Sequence, residues 1–306
     1  MDTLSRLLSL YTIRTALDIR CELAAPWVLD EPPSEPGSAP FHVIVDGEAR
    51  LEAPGQAGVL LGAGDIAVFP GGGAHRLLAG ADPGQAQPVA DLAAAGLLRR
   101  KGNGGAGPGT SILCGRFVFD DGARRALLDA LPPMLVVRSA GFPGLHALVT
   151  LLQHETADPG ETPRPGAGVV VAQLSGALFA LIMRAWLAQG ATTPGLFAVL
   201  ADRRLGPALR HMLASPEQSW RVEDLAAACH MSRATFARRF TQLGGMAPLD
   251  ALTRLRMARA GAALAQDARP VGEVALAVGY QSEAAFNRVF KRHHGVGPGA
   301  WRRALK

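Results

Sequence analysis

Residues 271–290 read VGEVALAVGYQSEAAFNRVF, and a related pattern, VEDLAAACHMSRATFARRF, occupies residues 222–240. The two copies are offset by 49 residues up to the middle of each segment and by 50 from the serine onward. One extra residue in the second copy accounts for the change, and a turn accommodates such an insertion at little cost. A repeated segment of this length indicates a duplicated structural unit.

Each copy predicts two short helices joined by a tight turn. Four apolar or small residues of the first copy fall on one stripe of a helix: Val222, Leu225, Ala226 and Cys229. After the turn, Ser232 and Ser282 are well placed as N-caps of the second helices. Each second helix has two phenylalanines one turn apart: Phe236 and Phe240, then Phe286 and Phe290. This arrangement is the helix-turn-helix pattern.

The opposite face of each second helix is polar and mostly basic, which suits contact with nucleic acid. Arginine pairs with guanine and asparagine with adenine through two hydrogen bonds in the major groove, and other basic groups neutralise phosphates. The candidate DNA-binding residues are Arg233, Thr235, Arg238, Arg239, Glu283, Asn287, Arg288, Lys291 and Arg292. An ordinary helical bundle with solvated arginines is the alternative, and the repetition argues against it.

Charge is distributed unevenly along the chain. Residues 202–306 contain 17 Lys and Arg against 8 Asp and Glu, whereas residues 1–201 contain 14 against 18. A basic segment attached to an acidic one favours nucleic acid as the partner of the basic end.

Residues 275–286 and 290–298 resemble the signature of the AraC/XylS family over nearly its whole length. The resemblance implies a domain of about seven helices, with a long central helix that would run here from Pro248 to about Gln266. It also implies binding to double-stranded promoter DNA, activation of transcription and contact with RNA polymerase. By position, Arg233, Thr235 and Arg238 would read bases in the first half-site, since Ala234 is too short for polar readout.

The N-terminal part resembles a cupin barrel, a common sensor domain in this regulator family. The second cupin motif, G-x5-P-x-G-x2-H, is matched by Gly64, Pro70, Gly72 and His75. His42 and Glu48 fit the first and last ligand positions of the first motif, and Ile44 replaces its second histidine. His42, Glu48 and His75 could therefore bind Fe(II) or Zn(II). The alternative is a barrel that has lost the metal, with histidines bonded to backbone or lining a pocket; no cofactor is predicted.

Three cysteines, far apart in sequence, suit a reducing cytoplasm better than a disulfide-stapled secreted fold. Cys229 aligns with Val278 as a core residue. Cys114 lies in an apparent strand, where simple alternation places it with Arg116. Cys21 follows Arg20, which would favour the reactive thiolate. The opening of the chain, with LSRLL at residues 4–8 and Pro26-Trp27, resembles cupin-bearing activators that include a sensor of reactive chlorine species. This resemblance makes Cys21 and Cys114 redox candidates; ordinary barrel cysteines are the alternative.

These patterns predict an α+β fold in three parts. Residues 1–120 would form the cupin-like sensor barrel, residues 121–194 a helical linker or dimerisation region, and residues 195–306 an all-α domain with two helix-turn-helix units. Within the barrel, residues 80–109 are rich in Gly and Pro and favour a surface loop, with a short helix near residues 89–98. The apolar stretch 169–187 favours a buried helix or a homodimer interface.

The chain therefore reads as a cytoplasmic transcription factor governed by an unidentified effector, an oxidant being one candidate. Neither a secretory signal nor a membrane span is predicted. A cupin enzyme such as a dioxygenase would leave the tandem repeat unexplained. The remaining alternative is a small-molecule or metal-binding cupin protein whose C-terminal helices mediate assembly.

Overall fold

The computed structural model describes residues 1–11, 13–80, 83–92, 97–119, 127–128, 131–157, 164–190, 193–266 and 268–304. The described residues divide into two compact units. We call residues 13–118 and 132–189 the strand unit, and residues 1–12, 119–131 and 190–306 the helical unit. The expected domain boundaries at residues 120 and 194 stay predictions.

The strand unit is built mainly from antiparallel strands. The strands are β1 Ile13–Ala24, β2 Trp27–Glu31, β3 Ser38–Asp46, β4 Glu48–Glu52, β5 Val59–Gly62, β6 Asp65–Val68, β7 His75–Ala79, β8 Ala90–Asp91, β9 Arg99–Gly102, β10 Gly109–Phe119 and β11 Leu135–Arg138. Among the described residues they form a seven-stranded sheet, in the order β11-β6-β3-β10-β1-β9-β8, and a four-stranded sheet, β2-β7-β4-β5. Inward-facing residues of both sheets, including Trp27, Ile44, Phe69 and Leu77, share one core. The expected cupin-like fold is confirmed.

Part of the segment expected to be a loop belongs to the sheet. Strand β9 runs parallel to β1, with Cys21 opposite Lys101, and β8 pairs with β9. Ala90 and Asp91 are therefore extended where a short helix was expected; residues 93–96 of that expectation lie outside the described residues. Backbone pairing with β1 holds β9 in an extended conformation, which the Gly- and Pro-rich composition of residues 80–109 does not indicate.

The described residues of the strand unit also form two α-helices, α2 Pro143–Thr156 and α3 Ala167–Ala188. Among the described helices, α3 alone is long and apolar enough to cross a membrane by length and composition. One face of it packs against α2 and β1, and Phe179 meets the edge of Phe117 at 5.1 Å between ring centroids. Those contacts bury one side of the helix within the strand unit.

The helical unit begins with the N-terminal helix, α1 Thr3–Leu8, which packs on α5 and buries Leu7 completely. The other α-helices that the structure describes in this unit are α4 Leu196–Ala201, α5 Gly206–Ala214, α6 Val222–Ala228, α7 Arg233–Gly244, α8 Pro248–Gln266, α9 Val271–Ala277, α10 Glu283–His294 and α11 Pro298–Ala304. Helix α8 spans the residues expected for the central linker.

Candidate nucleic-acid interface

The two repeats fold as two helix-turn-helix units, α6 with α7 and α9 with α10. The predicted N-caps are confirmed: the Ser232 side chain accepts a hydrogen bond from the backbone N–H of Thr235, and Ser282 accepts one from that of Ala285. The paired phenylalanines are fully buried in both units, with ring centroids 5.6 Å apart in the first and 5.4 Å apart in the second. Each second helix is thus anchored by its apolar face, which leaves the other face to solvent.

The turn between the helices requires a left-handed backbone at equivalent positions. His230 has φ of 53° and Gly279 has φ of 88°. A Cβ on Gly279 would lie 2.6 Å from the carbonyl oxygen of Glu217, so only glycine fits there without displacement. In the first unit a histidine adopts the same conformation, at a cost of roughly 1–2 kcal/mol relative to right-handed backbone.

Arg256, on the linker helix α8, fastens the second turn to the segment before α6. Its Nε donates to the carbonyl of Pro216 at 2.7 Å, and an Nη donates to that of Gln218 at 2.9 Å. Its guanidinium lies 5.9 Å from the ring centre of Tyr280, next to Gly279. Burial lowers the pKa of Arg256, but the group stays charged. One side chain therefore links the second turn to the segment that precedes the first helix-turn-helix unit.

Seven of the nine candidate DNA-binding residues are exposed: Arg233, Thr235, Arg238, Glu283, Arg288, Lys291 and Arg292. Arg238 and Arg288 occupy equivalent positions on α7 and α10, and neither has an ion-pair partner among the described residues. Arg233 pairs with Glu223 at 2.8 Å, but both side chains are well exposed, so DNA phosphate can compete for it. Thr235 accepts a hydrogen bond from the Ser232 hydroxyl at 3.0 Å.

The remaining two candidates face partly inward, which repetition in the sequence could not reveal. Arg239 donates to the Asp202 carboxylate at 2.9 Å and holds the start of α5 in place. Burial acts to raise the pKa of Asp202, but this bond and two backbone N–H groups hold it below its ordinary value. Asn287 is half-buried, and its Oδ1 has no hydrogen-bond partner within the described residues. Arg239 thus has an intramolecular partner in Asp202, and its expected role in DNA binding stays a prediction.

A second cluster of reactive side chains lies inside the strand unit. His42 on β3 sits directly opposite Cys114 on β10, with 3.1 Å between Nδ1 and Sγ. The other nitrogen of His42, Nε2, lies 2.7 Å from Nε2 of His75 on β7. His75 Nδ1 lies 2.8 Å from the carbonyl oxygen of Gly73, and its ring stacks on Phe69. We call Cys114, His42 and His75 the histidine–cysteine chain.

Burial sets the ionisation of this chain. It lowers the pKa of His42 to about 3, with help from the neighbouring His75, and it also lowers the pKa of His75. A side-chain hydrogen bond with Cys21, together with burial, raises the pKa of the Cys114 thiol well above its ordinary value. All three groups are therefore neutral at pH 7.

The structure does not assemble the expected metal-binding set. It brings His42 and His75 together, but Glu48 is exposed on β4. No group of three or more His, Cys, Asp or Glu side chains among the described residues is arranged to hold a metal ion. The histidines instead bond to each other, to a thiol and to backbone, which is the alternative that the sequence left open.

The expected activation of Cys21 by Arg20 is wrong. Cys21 is fully buried in the core of the strand unit. Arg20 directs its guanidinium elsewhere, toward Glu22, Ser111 and Thr156. Successive side chains of a strand point to opposite faces, so adjacency in sequence separates these two groups. Cys114 is likewise buried in this core, and not in the mixed environment expected from alternation with Arg116.

A cavity of about 570 Å³ opens where β2, β4 and β7 meet. Its lining consists of Asp30, Glu31, Pro32, Glu52, Ala53, Pro54, Ala74, His75 and Arg76. His75, the last member of the histidine–cysteine chain, thus borders a space that a small molecule can enter.

Comparisons with known proteins agree with both units. A family described as "Cupin" matches residues 2–188, and one described as "Helix-turn-helix domain" matches residues 225–304. The "RCS-specific HTH-type transcriptional activator RclR" of Escherichia coli (strain K12) is 31% identical over 100% of this chain and 99% of its own length. The "HTH-type transcriptional regulator MtrA" of Neisseria gonorrhoeae is 32% identical over 99% of this chain and 98% of its own length. The DNA-binding domain of AdpA, solved with a target DNA, is 38% identical and covers 34% of this chain and 92% of that chain, with a TM-score of 0.32.

A cupin domain followed by two helix-turn-helix units defines a class of transcription regulators whose partner is double-stranded DNA. The chain belongs to the AraC-type family of these regulators, in the group with an N-terminal cupin domain. Both of these full-length relatives are named as transcription regulators.

Proposed function

We propose that the protein is a cytoplasmic transcription activator whose cupin domain senses an oxidant through Cys21 and Cys114. The observation that carries the proposal is that Cys21 and Cys114 are both buried in one core of the strand unit. Their strands, β1 and β10, are neighbours in the seven-stranded sheet. A relative named as an RCS-specific activator matches the whole chain, which supports the same assignment.

Oxidation would alter the core that both cysteines help to fill. A disulfide requires a sulfur–sulfur distance of about 2.05 Å and a fixed torsion, so the two strands must adjust when it forms. Interiors are close-packed, and such an adjustment displaces neighbouring side chains. The proposed signal is this change of packing, which alters DNA binding by the helical unit.

Promoter activity in cells tests the oxidant switch. Cys21→Ser and Cys114→Ser should each abolish the activation of the promoter by hypochlorous acid. Cys229→Ser, a substitution in the helical unit, should leave that activation intact. If Cys21→Ser and Cys114→Ser both activate the promoter normally, the proposed oxidant switch is wrong. The cavity beside His75 would then favour a small-molecule effector as the signal.

At the promoter, we propose that α7 and α10 enter successive major grooves on one face of the duplex, about 34 Å apart. Two exposed arginines at equivalent positions, Arg238 and Arg288, support this arrangement. The bound protein would then contact RNA polymerase. Transcription reconstituted from purified components tests that step: the oxidised protein should raise the yield of transcript, and an unchanged yield despite promoter binding would contradict it.

We also propose that the protein forms a homodimer through the outer face of α2 and α3. Val169 and Val170 on α3 are 68% and 43% exposed, and Leu151 on α2 is 51% exposed. Covering such side chains with the same face of a second copy would remove apolar surface from water. Sedimentation should show a dimer that Val169→Glu dissociates, whereas a monomeric wild-type protein would contradict the proposal.

A further inference from the structure

We infer that an apolar hollow beside Arg238 binds the 5-methyl group of a thymine, so that the first helix-turn-helix unit reads this base without a hydrogen bond. The inference rests on the proposed entry of α7 into the major groove and adds the identity of one base in the first half-site. The hollow has a volume of about 370 Å³, and we call it the α7 hollow. Its lining consists of Val222, Arg233, Ala234, Ala237, Thr241, Ala247, Pro248 and Leu249.

Three helices form the walls of the α7 hollow. Two walls come from the first residue of α6 and from residues 247–249 at the start of α8. The third wall is α7, on which Ala234, Ala237 and Thr241 follow one another at spacings of three and four and so lie on one side of the helix. Apart from Thr241 and Arg233, the side chains that line the hollow have no hydrogen-bonding group. A group bound in the hollow therefore meets mainly apolar surface.

The α7 hollow is continuous with the surface that we propose enters the major groove. Ala234 and Arg238 are one helical turn apart, and both are exposed. They lie on the side of α7 away from the buried Phe236 and Phe240. Arg233 lines the hollow as well, so an arginine is present on each side of the alanines. An apolar hollow between two cations suits an anionic partner that presents an apolar group, as DNA does at a thymine.

The C5 methyl group of thymine is the apolar group that base edges display in the major groove. Guanine, adenine and cytosine are recognised there by their hydrogen-bond donors and acceptors. A polar base edge held against Ala234 and Ala237 would lose its water without gaining a partner, which is unfavourable. A methyl group gains from the same contact, because apolar surface is removed from water. The α7 hollow therefore favours thymine among the four bases.

The second helix-turn-helix unit has polar residues at the equivalent positions. At the offset of 50 residues, Asn287 replaces Ala237 and Lys291 replaces Thr241. Asparagine pairs with adenine through two hydrogen bonds, which do not involve a methyl group. Ala237 and Asn287 are both half-buried, so this position of the repeat accommodates either side chain. The two half-sites should therefore differ at the equivalent base.

The experiment measures the affinity of the full-length protein for promoter duplexes in which deoxyuridine replaces, one at a time, each thymine of the half-site that depends on Arg238. Deoxyuridine lacks only the 5-methyl group and keeps the hydrogen-bonding groups of thymine. We expect one such replacement to weaken binding by about three- to tenfold, as the loss of one buried methyl group predicts. The same replacement at the equivalent position of the second half-site is the matched control and should leave the affinity unchanged.

Ala237→Asn is the informative variant, because it gives the first unit the residue that the second unit has. This variant should bind the thymine and deoxyuridine duplexes with equal affinity. Gln242→Asn, at an exposed position of α7 outside the hollow, is its control and should keep the preference of the wild type for thymine. If Ala237→Asn fails to fold, the deoxyuridine duplexes with wild-type protein decide, because they leave the protein unchanged.

Three results would overturn the inference. The first is a wild-type protein that binds every deoxyuridine duplex as tightly as the thymine duplex. The second is an Ala237→Asn protein with the wild-type preference, since the methyl group would then act through the shape of the DNA. The third is an Ala237→Asn protein that binds both duplexes as the wild type does but fails to activate transcription, which would assign the hollow to RNA polymerase.

Failure of the proposed docking of α7 gives a different result. In that case Arg238→Ala would leave the affinity for the promoter unchanged. If only the contact with the methyl group is wrong, Arg238→Ala still weakens binding and the deoxyuridine duplexes do not.

Discussion

Replacement of Arg256 by methionine should loosen the connection between the two helix-turn-helix units. Methionine retains an unbranched apolar side chain that packs in a similar space, so the change removes mainly the charge and the donors. Two charge-assisted hydrogen bonds, to Pro216 and Gln218, are lost, together with the contact with Tyr280. Such hydrogen bonds contribute about 1.5–3 kcal/mol each and a cation–π contact about 0.5–1 kcal/mol at an exposed site.

Since Arg256 is only half-buried, water replaces part of what is lost, and we expect the free energy of unfolding to fall by about 2–4 kcal/mol. Urea unfolding followed by tryptophan fluorescence measures this change. Arg259→Met, an exposed position on the same helix, should change stability by no more than about 0.5 kcal/mol. Promoter affinity should fall in Arg256→Met while its dependence on salt stays the same, because no phosphate contact is removed. Equal stability of the two variants, or a shallower salt dependence in Arg256→Met, would refute this role.

Two further predictions concern stability. His230→Gly should stabilise the protein by up to about 1 kcal/mol, since glycine relieves the strain of the left-handed backbone. Gly279→Ala should destabilise it, because the added Cβ clashes with the Glu217 carbonyl. Thermal melting of both variants tests these two predictions, and a His230→Gly protein less stable than wild type would contradict the argument. Acid should destabilise the strand unit as the pH falls from about 6.5 toward 3, because unfolded His42 binds a proton in that range and the folded residue, with its pKa near 3, does not. In this range His42 should lower the free energy of unfolding by about 1.4 kcal/mol for each unit that the pH falls. A His42→Leu variant whose free energy of unfolding depends on pH as that of wild type does would show the prediction to be mistaken.

The two helix-turn-helix units could be predicted from the sequence because their sequence signals are local and repeated. Helical spacing, the serine caps and the buried phenylalanines each depend on residues close in the chain, and the second copy checks the first. The linker helix followed from the family resemblance, and its residues agree with the structure.

Contacts between distant segments could not be predicted in the same way. Arg239 belongs to a basic face by its spacing, but Asp202, 37 residues away, occupies its guanidinium. The contact of His42 with Cys114 depends on the pairing of β3 with β10, which no local pattern reveals. The extended conformation of residues 99–102 likewise depends on pairing with β1, about 80 residues earlier in the chain. In each case the deciding partner is set by tertiary structure.

Footprinting of promoter DNA with Arg238→Ala and Arg288→Ala tests most directly the claim that two equivalent helices read one operator. Each variant should lose roughly 1–3 kcal/mol of binding free energy if its arginine reads a base. Arg238→Ala should weaken protection in one half-site and Arg288→Ala in the other, with the two affected regions about one helical turn apart. Loss of the same bases in both variants, or full protection in both, would contradict the account.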